Sequence, residues 1–390
     1  MPEADRPVTL LQPVVAGVLS AVVGFSSTFA LILHGYTVVG ATPAQAAGGL
    51  LALCLAQGLL AIWLSMRWRM PITLAWSTPG SALLIATVAL EGGFASATGA
   101  FLVAALLTVA AGLWKPFGRA VASIPSSLAS AMLAGILFEI CLSPVRAAGA
   151  IPAFALPVIL AWALAWRFYR LYAVPIAVLA TLIVVLVAVP LPQGTMVASV
   201  VWPSFIMPHF RLEVALGLGV PLFLVTMASQ NVPGLAVLHT HDYHPEPGPI
   251  FTATGLASAA IAFFGAHAIN LAAITAALCA GRDAHPDPSK RWVASVASGI
   301  SYIVLGLGAG LAAALIAVSP PLLIQTVAGL ALLGTLGGAL TSAAAEERNR
   351  LPAMATFVTA ASGLSVFGIG AAFWGLLAGG ALMLLDRVRR

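Results

Sequence analysis

Apolar runs of helix length follow one another from residue 11 to residue 385, separated by short turns rich in Pro, Gly and charge. In hydrocarbon no water satisfies the backbone, so a chain of such runs must cross as helices or as a closed barrel. Runs of about 20 residues fit helices spanning a core of roughly 30 Å. The pattern predicts spans at 11–36, 43–65, 71–90, 94–114, 125–142, 152–166 and 172–189, then at 213–239, 249–265, 266–280, 292–318, 321–343, 351–367 and 371–385. The two sets flank the loop 190–211, which carries four prolines. With only 7% charged residues, against about 25% in a soluble domain, the expectation is an all-α polytopic membrane protein. Its fourteen transmembrane segments are arranged seven plus seven.

Basic residues orient the chain. With both termini cytoplasmic, every Lys and Arg falls on the inner side except Arg146 and Arg211. The net charge of +5 is therefore a topology signal, and no nucleic-acid partner is implied. Residues 1–13 carry Glu3, Asp5 and Arg6 without an apolar core and cleavage site, so no signal peptide is expected. Cys54, Cys141 and Cys279 sit in apolar runs, spaced for neither disulfides nor zinc, and read as buried packing residues.

Two stretches break the helical pattern: PITLAWSTPGSALL at 71–84 and AHAINLAAITAALCAG at 266–281. In the first, Ile72, Leu74 and Trp76 alternate with Thr73, Ala75 and Ser77 at strand period. Thr78 then reads as an N-cap with Pro79 at the first helical position. A helix over 79–90 reaches only about 18 Å, too short to cross. In the second, Asn270 reads as the cap of a helix that stops at Gly281. Non-helical backbone at membrane depth is tolerated only where protein buries it or it lines a cavity. Paired half-helices in spans 3 and 10 are the mark of a secondary transporter's binding site. SQNVPGLAVLHT at 229–240 lines up with GFSSTFALILHG at 24–35, and Ser123-Ile124-Pro125 echoes Ser319-Pro320-Pro321. With seven spans in each half, such a repeat is inverted.

Polar groups at membrane depth point at function. They form four clusters: Ser26, Ser27 and Thr28; Ser77 and Thr78; Gln230 and Asn231; His267 and Asn270. An inverted repeat brings these together near the midplane. Two opposed helix N-termini suit a carboxylate without any membrane-embedded Lys or Arg. Phe25, Trp76, Phe263 and Phe264 stand nearby in sequence as walls for an aromatic ring. The plainer alternative is that Ser and Thr bond back to their own helix and Asn270 only caps.

Glu139 and His267 are the proton-coupling candidates, although Glu139 at the end of its span is more simply the partner of Arg146. The run His239-Thr240-His241-Asp242-Tyr243-His244 has metal-ligand chemistry but lies in an inner loop with nothing to fix its geometry. A solvated turn explains it better. No P-loop, dinucleotide fingerprint or zinc-protease helix is present, so no catalytic residue, cofactor or metal is expected.

VVGFSSTFALILHGYTVVGATPAQAAGGLLALCLAQGLLAIWLSMRWRMPITLAWSTPGSALL at 22–84 resembles the bacterial benzoate:proton symporter family, BenE-type, as do NVPGLAVLHTHDYHPEP and GAHAINLAAITAALCAGRDAHPDPSKRW. The resemblance runs from about Leu11 to Arg387 and implies an inner-membrane carrier that imports benzoate, or a close aromatic acid, with a proton. That family is distantly similar to the uracil permease and sulfate-carrier superfamily. This implies inverted repeats at 1–195 and 196–390, a core domain of about 11–114 and 213–318, and a gate domain of about 115–191 and 319–386. It also implies a homodimer through the gate domains, in contact with membrane lipid. Several of those relatives couple protons through a glutamate in span eight or ten, where this chain has Gln230, Asn231 and Asn270. The substrate's own carboxylate is then an alternative proton site. Rival readings are a nucleobase or inorganic-anion carrier of the same fold, an anion channel, and a metal-dependent membrane enzyme built on 239–244.

Overall fold

The computed structural model describes residues 10–87, 90–122, 125–190, 201–273 and 275–388. Residues 1–9 of the N-terminal stretch read for a signal peptide, the 195/196 boundary and Ser123-Ile124 of the second internal match lie outside them.

The first half runs α1 (Leu11–Val38), α2 (Pro43–Trp68), β1 (Leu74–Trp76), α3 (Thr78–Ile85), α4 (Gly93–Leu113), α5 (Lys115–Ala122), α6 (Ser126–Ala150), α7 (Pro152–Phe168) and α8 (Ala173–Ala188). The second runs α9 (Leu212–Val214), α10 (Val220–Thr226), α11 (Val232–Thr240), α12 (Pro247–Ala262), β2 (Ile269–Leu271), α13 (Ala276–Ala280), α14 (Trp292–Leu307), α15 (Ala309–Val318), α16 (Pro321–Ala344), α17 (Arg350–Ala361), the hairpin β3 (Ser365–Val366) and β4 (Ile369–Gly370), and α18 (Ala371–Val388). Helices begin where their sequences provide a start. At α2, Thr42 and Gln45 form a reciprocal capping box ahead of Pro43.

By length and apolar character, seven helices among the described residues qualify as full membrane spans, or eight if the bent pair around Gly308 counts as one. That pair is the expected span 292–318, broken by 52°. The α9–α11 stretch is a continuous span over Leu212–Thr240, wound as π-helix at Ala215–Gly219 and Met227–Asn231. The expected last-but-one span ends early, at Ala361, and the β3–β4 hairpin takes its final residues.

α2 packs on α14, α4 on α12, α1 on α14, and α6 on α16 and α17. With lipid outside, close backbone approach holds such pairs together. Gly58 and Gly299 show it: a Cβ on Gly58 would stand 2.5 Å from the Gly299 carbonyl oxygen, and one on Gly299 2.7 Å from that of Gly58.

Both expected extended segments exist, and they pair with each other. β1 and β2 run antiparallel in the register Leu74↔Leu271, Ala75↔Asn270 and Trp76↔Ile269. Ser77 N–H donates to the Ala268 carbonyl (3.1 Å) and Ala272 N–H to the Thr73 carbonyl (2.9 Å), extending the ladder at each end. The ribbon solves the membrane-depth problem for both segments at once.

Candidate functional site

The site is built around this ribbon and the two short helices that leave it. α3 spans eight residues and ends at Ile85, not at residue 90. Its N-cap is Ser77, whose hydroxyl accepts the Gly80 N–H at 3.1 Å. Thr78, expected to cap, is the first helical residue instead. Two hydroxyl residues precede Pro79, and the one with extended backbone takes the role. Ser81 N–H is taken by the Ser77 carbonyl and Pro79 has none to offer, so of the first turn the Thr78 N–H alone lacks a partner among the described residues. The second short helix, α13, has five residues and no side-chain cap at Thr275.

Asn270 does not cap. It lies in β2 opposite Ala75, where the strand claims its backbone. Its side-chain N–H donates to the Leu271 carbonyl at 2.8 Å, and its Oδ1, fully buried, has no partner among the described residues. A buried carbonyl oxygen without a donor is costly. Asn231, from the π-wound turn, does pair with the ribbon: its Oδ1 accepts the Leu271 N–H at 3.0 Å. Ser258 on α12 does the same for the Ile269 N–H at 2.9 Å. Ser77 and Thr226 join hydroxyls at 2.7 Å, tying α3 to α10.

His267 is buried where the chain enters β2. Its backbone N–H donates to the Tyr36 hydroxyl (3.1 Å), which donates in turn to Nδ1 (2.8 Å). Nε2 therefore carries the proton and points it at the Ser77 carbonyl (3.1 Å) and the Ser81 hydroxyl (3.2 Å). The imidazole is a three-way tie between α1, α3 and β2. Ser26, Ser27 and Thr28 each donate back to a carbonyl of their own helix. Thr28 has a second role, accepting the Trp76 indole N–H at 2.8 Å. The candidates divide by burial: Ser26, Ser27, Thr78 and Gln230 are half-buried, whereas Trp76, Ser77, Asn231, His267 and Asn270 are buried.

Aromatic rings form one wall. Phe29 stacks on Phe25 (5.3 Å), Phe25 meets Trp76 edge-on (5.7 Å), and Trp76 meets Tyr302 edge-on (5.3 Å). Phe263 and Phe264 are not part of it. They pack with Phe205, where the segment 201–211 crosses the ends of the helices. Tyr36 and Tyr302 were not among the sequence candidates, because an aromatic residue in an apolar run has the signature of ordinary packing.

Two further candidates sit apart from the ribbon. Glu139 pairs with Arg146 along α6, both side chains more than half exposed. His239 and His244 face each other at 5.0 Å, and no group of three metal-ligating side chains occurs among the described residues.

The family model described as benzoate membrane transport protein (BenE) matches residues 8–385. The chain belongs to that family. Its members are membrane transporters, not enzymes. It is 40% identical over 375 residues to the inner membrane protein YdcO of Escherichia coli (strain K12), covering 96% of this chain and 94% of that one. It is 32% identical to the benzoate membrane transport protein of Acinetobacter baylyi, covering 95% and 93%. Among solved structures, the fold is similar to the transmembrane domain of a cyanobacterial bicarbonate transporter, BicA, with a TM-score of 0.63 at 16% identity over 95% of this chain and 97% of that one. It is also similar to the murine Solute Carrier 26 family member A9 anion transporter in the inward-facing state, with a TM-score of 0.65 at 13% identity over 100% and 70%.

Proposed function

We propose that this BenE-family protein imports benzoate, or a close aromatic carboxylate, together with protons across a bacterial inner membrane by alternating access. The observation that carries the reading is the ribbon: two strands that meet at Ala75 and Asn270, each leading into a helix too short to cross, beside the wall of Phe25, Phe29 and Trp76. Backbone irregularity of this kind at membrane depth is where secondary transporters bind substrate. The ring fits against the wall. The carboxylate goes to the half-buried groups in front of it, including the Thr78 N–H and Gln230. A purely inorganic anion has no use for that wall, which favours an aromatic acid over bicarbonate-like cargo.

The packing supports fourteen crossings as two inverted repeats. The second helix of each half lies on the fourth of the other, α2 on α14 and α12 on α4, with the antiparallel ribbon between. Movement follows from the boundary between the core (about 11–114 and 213–318) and the gate (about 115–191 and 319–386). Among the described residues, apart from the Ser319 hydroxyl bonding back to Leu315 where the chain itself passes from core to gate, that boundary holds a single side-chain hydrogen bond, Gln325 to His34 at 3.3 Å. An apolar cavity of about 220 Å³ opens beside it, lined by Phe29, Val178, Leu315 and Ile324. Two bodies so lightly tied can rock. For the proton, His267 touches the ribbon and Glu139 does not. Coupling at His267 requires Nδ1 to exchange its Tyr36 partner for the incoming proton.

The test is radiolabelled benzoate uptake into proteoliposomes under an imposed pH gradient, with calorimetry on Asn270→Ala. Uphill accumulation in the wild type and weakened binding in the variant are expected. Unchanged affinity in Asn270→Ala would remove the ribbon as the binding site. If the pH gradient drives His267→Asn as well as wild type, the proton is coupled elsewhere.

A further inference from the structure

Tyr302 lies on α14, a scaffold helix that packs behind the ribbon against α1 and α2. Its ring is enclosed, with only 2% of the residue exposed. The edge-on contact with Trp76 fixes the ring's plane. Its hydroxyl makes no hydrogen bond among the described residues, and its oxygen is not among the fully enclosed polar atoms left without a partner. A buried tyrosine normally finds a partner for that group, because leaving it dry is costly.

The hydroxyl has a direction. It sits over Gly24 of α1, so close that a Cβ there would stand 2.2 Å from the phenol oxygen, and the same Cβ would meet Thr275 Cγ2 at 3.4 Å. Thr275 is the residue from which α13 begins. Gly24 is half-buried, two residues before Ser26 on the helix that carries Phe25 and Phe29. The absent side chain of Gly24 leaves a notch on α1 that the phenol oxygen occupies, beside the start of α13. Ser26, Ser27 and Thr28, the other hydroxyls on this part of α1, are already spent on their own helix.

We propose that Tyr302 is a substrate-contacting residue that donates its phenolic hydrogen bond, from the notch at Gly24 beside the start of α13, to the carboxylate of the bound aromatic acid. This rests on the proposed function above and adds to it a donor with no formal charge, held rigid by Trp76. Such a donor selects for an anionic oxygen while leaving the apolar wall to select the ring.

The experiment compares wild type, Tyr302→Phe and Gly24→Ala in detergent, measuring thermal midpoints and calorimetric dissociation constants for benzoate and cyclohexanecarboxylate. Tyr302→Phe keeps the ring and its contact with Trp76. Its midpoint should stay within a few degrees of wild type, while both carboxylates weaken by the same factor, roughly tenfold or more, the size of one hydrogen bond to a charged group. Gly24→Ala displaces the hydroxyl and should weaken both ligands in parallel. If Tyr302→Phe binds both acids as wild type does, the inference is wrong and the site stands. A loss confined to benzoate also overturns it, since the residue would then shape the ring pocket only. Should Tyr302→Phe lose its fold, parallel weakening in Gly24→Ala decides for the proposal and unchanged binding against it. No saturable benzoate binding by wild type removes the parent reading, and this one with it.

Discussion

At β1 the chain passes straight from strand to helix, and the helix is fastened at its front: Ser77 closes the first turn, Thr226 holds Ser77, and His267 holds the Ser77 carbonyl. At β2 the chain leaves the strand at Leu271, starts α13 only at Ala276 without a side-chain cap, and is fastened from behind. There the buried Arg291 donates to the carbonyls of Ala280 (3.0 Å), His285 (2.7 Å) and Pro286 (3.3 Å), the first of these being the last residue of α13. A guanidinium on the carbonyl end of a helix is favourable for both hydrogen bonding and the helix dipole. The contrast teaches that two similar strand-to-helix switches can be fastened from opposite ends. The first switch has spent most of its polar groups on itself, while the second keeps an uncapped helix start and the unpaired Asn270 Oδ1. The Asn270 Oδ1 is an acceptor, so only a donor would satisfy it, and a carboxylate would not.

The comparison can be broken most forcefully at Arg291. Arg291→Met removes three charge-assisted bonds and should cost about 2–4 kcal/mol, read as a lowered thermal midpoint in detergent together with weaker benzoate binding. Arg291→Lys should recover only part, since one ammonium cannot span three carbonyls. A midpoint unmoved by either change would mean that α13 is anchored some other way. At the first switch, Ser77→Ala should cost about 1 kcal/mol, with faster hydrogen exchange confined to Gly80 and its neighbours. Equal deprotection at α13 would show that the two switches are not independently fastened.

The smallest effect sharpens the same contrast from the loop behind α13. The Ser289 hydroxyl and N–H donate to Asp287, at 2.7 and 2.9 Å, and hold its carboxyl below the usual carboxylate range. The group therefore stabilises the fold above its ordinary pKa of about 4. That contribution is lost as the pH falls through the depressed value. Asp287→Asn should lower the thermal midpoint slightly at neutral pH, where the ionised carboxylate contributes, and flatten the slight decline below about pH 4. A decline of the same slope in the variant would assign it to other groups.

Helix positions were legible because each apolar run is punctuated by its own start and stop, as Thr42-Pro43 and Pro321 show. The strands were legible from alternation, but their pairing was not, since nothing in residues 71–77 names residues 268–272 as partner. Local rules also misplaced two polar residues. Ser77 and Thr78 are equally good caps on paper, and only backbone geometry chooses between them. Asn270 has a capping side chain but a strand's backbone. The π-wound turn that turns Asn231 toward the ribbon leaves no trace in composition. Phe263 and Phe264 stand apart from the Trp76 wall because they pack with Phe205, a contact no periodicity encodes.

The pairing of Ala75 with Asn270 also dictates an order of assembly. β1 is made and inserted long before its partner exists, so the first half enters the bilayer with a strand edge that nothing yet satisfies. That half cannot reach its final state alone and must wait, loosely packed, until residues 269–271 arrive. The slow step in its biogenesis is then the meeting of two distant segments, as expected for contacts of high sequence separation. Halves made as separate chains should each be prey for membrane proteases and be protected when made together.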